Sequence, residues 1–120
     1  MVEFLKMLSE LSSKKNTVKT QKEIMTLLIK EQKKLFGKTV KYNEQCPSRH
    51  LTGLFAGFVR KKICGSKTLS IMWIKNGDNR ITQISKFNIE FLQIDVSLPE
   101  ISFNVCGAYS FCGTTTILLD

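Results

Sequence analysis

The chain has 120 residues, 42% of them hydrophobic and 23% charged, with a formal net charge of +8. That length supports one domain with a real core, and the composition excludes a disordered chain. No apolar run approaches the roughly 20 residues of a bilayer span, and Glu3 and Glu10 interrupt the apolar start where a secretory signal has none. A soluble, intracellular protein with no membrane partner is expected.

Residues 1–36 read as helical, as one helix or a helical hairpin. Phe4, Leu5, Leu8 and Leu11 share one face at helical spacing. The run Ser12-Ser13-Lys14-Lys15-Asn16 is a polar link. Thr20-Gln21-Lys22-Glu23 then has the form of a capping box, which predicts the second helix start at Thr20. Ile24, Leu27, Leu28 and Leu35 continue an apolar stripe that Glu31 interrupts, and Gly37 is the expected stop.

After Gly37 the period changes to that of strands. Lys38 to Tyr42 alternates, Leu54 to Val59 is an apolar run rich in aromatics, and Thr68 to Ile74 is another. Asn76-Gly77 predicts a type I′ hairpin turn, with Ile81 and Ile84 opening the next strand. Phe87 to Ile94, Ile101 to Val105, Tyr109 to Cys112 and Thr114 to Leu119 complete the series, with Pro99 as a boundary. The expected fold is α+β, a single domain of residues 1–120. Its helical part, residues 1–36, precedes a small antiparallel β-barrel or bent sheet over residues 37–120.

The rhythm of Gly37 to Tyr42, Gly57 to Arg60, Leu69 to Trp73 and a turn before Ile81 resembles that of SH3-like small barrels, Tudor and KOW-type domains among them. The resemblance spans residues 37–95. The insert between Tyr42 and Leu54 and the strands after Pro99 depart from it. It implies a compact barrel that binds nucleic acid or a peptide through loops and an aromatic patch.

Charge is distributed unevenly. Residues 1–43 hold ten lysines against four glutamates, residues 44–86 eight bases against two acids, and residues 87–120 four acids and no base. A basic body of this kind predicts a polyanionic partner, DNA or RNA. Fifteen of the 18 bases are lysine, which suits contact with phosphates more than reading of bases. One candidate cluster is Arg60, Lys61, Lys62 and Lys67 in a turn, flanked on a barrel rim by Lys38, Lys41, Arg49, Lys75 and Arg80. A second is Lys14, Lys15, Lys19 and Lys22 at the start of the second helix, where the helix dipole adds attraction for anions. Tyr42, Phe55, Phe58 and Trp73 are the aromatics nearest the bases; Tyr42 is the expected stacking face, and Phe58 and Trp73 are assigned mainly to the core.

Cys46, His50, Cys106 and Cys112 form the one conceivable zinc set, but the Cys106/Cys112 spacing is too wide for a knuckle. No phosphate loop, dinucleotide fingerprint, nucleophile elbow or clustered carboxylates are present. The expectation is therefore a non-enzymatic protein without a cofactor that binds nucleic acid with little sequence preference. The alternative is a small viral or phage protein that binds and inhibits a host protein. The apolar N-terminal helix would serve such a partner, or a second copy in a homodimer, if it did not pack on its own sheet.

Overall fold

The computed structural model describes residues 2–45, 48–105 and 113–119. Two helices, α1 (Val2–Ser13) and α2 (Val18–Lys30), and a 3-10 turn (Gln32–Leu35) precede seven strands. These are β1 (Thr39–Gln45), β2 (Ser48–Ile63), β3 (Ser66–Lys75), β4 (Gln83–Asn88), β5 (Leu92–Ser97), β6 (Glu100–Val105) and β7 (Gly113–Leu118). The α+β class holds. The strands form one antiparallel sheet in the order β4-β3-β2-β1-β7-β6-β5, whose ends, β4 and β5, do not pair with each other. The sheet is therefore bent rather than a closed barrel. No described helix is long and apolar enough to cross a membrane.

The helical stripes bury as their spacing requires: Phe4, Leu8, Ile24, Leu27, Leu28 and Leu35 are all core residues. Both boundaries of α2 differ from expectation. Its N-cap is Thr17, in extended conformation, whose side chain accepts from the Thr20 amide at 3.2 Å. Thr20 is instead buried inside the first turn, its hydroxyl donating to the Lys15 carbonyl at 2.9 Å. The helix also stops at Lys30 rather than at Gly37. There the side chain of Gln32 is needed elsewhere: its Oε1 accepts from the Phe58 amide at 2.9 Å and its Nε2 donates to the Ile29 carbonyl at 3.1 Å. Beyond the end of β1, Gln32 thus supplies the partner that β2 would otherwise lack.

β2 is one strand of 16 residues, not a short one. Its first half pairs with β1 and its second half with β3, and an extra residue at Ala56 shifts the β3 register between Phe55 and Gly57. Such a bulge bends the strand and increases its twist. The bend is enough to bring distant strands together across the interior. Thr115 of β7 donates to Ser85 Oγ of β4 at 3.0 Å, and the Trp73 indole N–H reaches the same oxygen at 3.3 Å. Phe103 of β6 lies 5.8 Å from Phe58 and 6.3 Å from Phe87, centroid to centroid. The bent sheet thus fills its own concave side.

The β5 edge is covered by α2. Gln21 Oε1 accepts from the Ile94 amide at 2.7 Å and its Nε2 donates to the Ile94 carbonyl at 2.9 Å, so one side chain stands in for a neighbouring strand. Gln21→Ala leaves both main-chain groups without their partner and is expected to cost about 1–3 kcal/mol. Urea unfolding checks this, with an unchanged midpoint counting against the clamp.

Asn76-Gly77 does turn the chain, with the Asp78 amide donating to the Lys75 carbonyl at 3.0 Å. Only Gly77 takes positive φ there, at 92°, so the turn is not type I′. β4 begins at Gln83, which leaves Ile81 exposed in a loop outside the strand. The Asn76 amide is held by the Thr52 carbonyl at 3.0 Å, which ties this turn to β2. The predicted strand at Tyr109 to Cys112 lies outside the described residues.

Candidate nucleic-acid interface

The turn with positive φ at both centres is Cys64-Gly65, at 51° and 82°, which joins β2 to β3. That is the two-residue geometry whose twist matches the flanking strands. The register runs Arg60 opposite Leu69, Lys61 opposite Thr68, and Lys62 opposite Lys67. Every residue from 60 to 67 is exposed. Because paired residues share a face and neighbours alternate, Arg60, Lys62 and Lys67 point one way and Lys61 the other. Arg60 and Lys62 are spaced by about 6.6 Å along the strand. Among the described residues, none of these four cations is in an ion pair.

Placing Lys62 directly opposite Lys67 destabilises the hairpin through like-charge repulsion. A second adverse placement occurs at α2. Its first turn contains Lys19 and no acid, although the positive end of a helix dipole favours carboxylates there. Lys15 and Lys22 are exposed nearby, and Lys14 forms a 3.6 Å ion pair with Glu23.

The flanking bases do not join the hairpin cluster on one rim. Lys75 lies eight residues along β3 from Lys67, about 26 Å at strand rise, and Arg80 is in the loop beyond it. Arg49, near the start of β2, forms a 3.6 Å ion pair with Glu44. Lys41, opposite Thr52 and Thr116 in mid-sheet, and Lys38, before β1, are also remote from the hairpin tip in register. The expected single rim is thereby corrected: the long β2–β3 hairpin separates its tip from the other bases.

The aromatic assignment also changes. Trp73 and Phe58 are buried, as their strand positions indicated, and Phe55 is buried with them. Tyr42 is only partly buried, but its ring already packs against Trp73, 6.3 Å away, and closely over Gly113. Burial, then the nearby Glu44 charge, push its hydroxyl pKa up, against a smaller lowering by Arg49. Among the described residues the half-exposed aromatics are Phe36, whose ring packs 5.9 Å from Phe55, and Phe91, at 51% and 48% exposure. Neither stood out in the sequence, because their apolar character alone gave no sign that they would stay uncovered.

Phe91 lines a groove of about 510 Å³ between the first half of α2 and the β4–β5 connection. Val18, Lys22 and Met25 form one wall, and Ile89, Phe91 and Leu92 belong to the other. The Ile89 amide donates to the Lys67 carbonyl at 2.9 Å, so this wall continues directly into the basic hairpin.

Of the conceivable zinc set, Cys46, Cys106 and Cys112 lie outside the described residues. His50 is exposed, with Nδ1 2.6 Å from Asn43 Oδ1. No group of three or more metal-ligating side chains occurs among the described residues. Compared with known proteins, the chain matches no family model, no curated sequence and no solved structure.

Proposed function

We propose that the protein is a non-enzymatic nucleic-acid-binding protein that contacts the phosphate backbone with little sequence preference. The observation that carries this reading is the β2–β3 hairpin. It projects Arg60, Lys61, Lys62 and Lys67 into solvent with no ion-pair partner among the described residues, and sets Lys62 against Lys67. An exposed hairpin that served only solubility has no need of facing like charges, whereas a polyanion lying along it turns their repulsion into attraction. The lysines at the start of α2 support the same reading. The resemblance of residues 37–95 to SH3-like domains that bind through loops belongs to this proposal as well.

Backbone contact predicts sequence tolerance. Fluorescence anisotropy with several unrelated oligonucleotides of equal length is expected to give affinities within about tenfold of one another. A preference of about 10³-fold or more, the scale of specific recognition, for one of them would contradict backbone contact as the source of binding.

A protein partner is the second reading, and one observation favours it. Met7, Val18 and Phe91 are exposed apolar residues beside α2. An interface centred on them would lose little affinity with added salt, unlike a phosphate contact.

A further inference from the structure

The groove beside Phe91 lies between the two basic clusters, and this placement bears on which nucleic acid the protein takes. We propose that the ligand is single-stranded and that one splayed-out base lodges in the groove against the Phe91 ring. This rests on the reading of the protein as a backbone binder and adds the substrate class.

At one mouth of the groove is the N-terminus of α2. Thr17 caps the Thr20 amide, and the first intrahelical bond runs from the Gln21 amide to the Thr17 carbonyl at 3.0 Å. The Val18 and Lys19 amides therefore precede the helical ladder and point outward as donors. Together with Lys22 on the groove wall, they form a seat for one phosphate. At the other side the wall runs through Ile89 to Lys67, where the hairpin supplies the next cations. Between these two anion seats lies a concave surface with an aromatic ring, the arrangement that holds a base when its phosphates are fixed on either side. A base paired inside a duplex presents no free face to such a groove, whereas an unstacked single strand does.

The test compares a short oligothymidine with a duplex of the same length, both at about 50 mM salt, on wild type, Phe91→Ala and Phe91→Tyr. Since Phe91 is half exposed, Phe91→Ala is expected to keep the wild-type fold by circular dichroism and thermal unfolding. The inference expects Phe91→Ala to weaken single-strand binding by about 5- to 100-fold, to leave duplex binding unchanged, and to be rescued by Phe91→Tyr. Methyl resonances of Val18 and Met25 should shift on adding the oligothymidine. Equal affinity of wild type and Phe91→Ala for the single strand overturns the base-lodging inference while backbone binding stands. Methyl shifts with an acidic amphipathic peptide but not with the oligothymidine also overturn it, by making the groove a protein-docking site. Failure of wild type to bind either nucleic acid removes the parent reading itself.

Discussion

Alanine in place of Arg60, Lys61 and Lys62 together is expected to lower nucleic-acid affinity by about 10²- to 10³-fold at about 0.1 M salt. Each neutralised phosphate steepens the slope of log affinity against log salt by about 0.7 on a single strand and about 0.9 on a duplex, so three lost contacts reduce it by up to about 2.1 or 2.7. Extrapolated from about 1 M salt, where the counterion contribution vanishes, this gives the stated loss. The loss should be similar on every sequence, because the basic side chains would contact phosphates rather than bases, with Lys61 reaching round from the other face of the hairpin. Stability should hold or rise slightly. All three side chains are exposed and unpaired among the described residues, and removing Lys62 relieves its repulsion with Lys67. Anisotropy titrations at several salt concentrations, with parallel thermal unfolding, check both halves. A triple variant with wild-type affinity and slope would show that the hairpin does not touch the ligand.

Gly53→Ala is expected to destabilise the fold by about 3 kcal/mol, the upper end of what overpacking usually costs. Gly53 lies in β2, between Val40 on β1 and Lys75 on β3. A Cβ there would collide with the Ile74 carbonyl oxygen, lie 2.6 Å from Trp73 Cε3, and sit 2.9 Å from the Ile74 carbonyl carbon. A surface side chain could move aside. Here the obstacles are the backbone of the next strand and an indole that is 1% exposed. Relief requires β2, held on its other side by β1, to separate from β3, or Trp73 to leave its hydrogen bond to Ser85. Urea unfolding should show a much lower midpoint, whereas a wild-type midpoint would mean that β2 and β3 are not paired in this register. The hairpin tip lies well along the same two strands. The variant's residual folded fraction should therefore keep the wild-type salt slope.

The elements that the sequence made legible are those set by local periodicity. Phe4 and Leu8 bury with Leu5 and Leu11 half-buried beside them, the stripe from Ile24 to Leu35 buries as its spacing demands, and the aromatic positions of β2 and β3 point inward. What was not legible depends on partners far along the chain. Gln21 is an unremarkable polar residue in a helix until Ile94, 73 residues away, offers it both main-chain groups. Gln32 ends α2 in the same way, by engaging Phe58. Turn chemistry misled for a related reason. Asn-Gly is the favoured type I′ pair, yet the turn at Asn76-Gly77 is held by Thr52 of β2 and connects to a loop, while the I′ geometry falls on Cys64-Gly65.

The candidate site divides similarly. The bases of residues 60–67 were visible as a cluster because a tight hairpin keeps sequence neighbours together. Their separation from Lys75 and Arg80 follows from strand length, which the short apolar runs understated. Tyr42 suggested a stacking face because Phe58 and Trp73 were the better core candidates, but Trp73 and Gly113 already occupy its surroundings. Phe91 replaces it through exposure alone, a property that only the packed fold decides.

The most direct test of phosphate-backbone binding is the salt dependence of wild-type affinity. Titrations of a single-stranded oligonucleotide from about 50 to 200 mM salt should give a log–log slope of about −3 to −6. That corresponds to four to eight neutralised phosphates at about 0.7 per contact on a single strand, drawn from the hairpin and the α2 lysines. Absence of binding at about 50 mM salt, or measurable binding with a slope near zero, would contradict the proposed function.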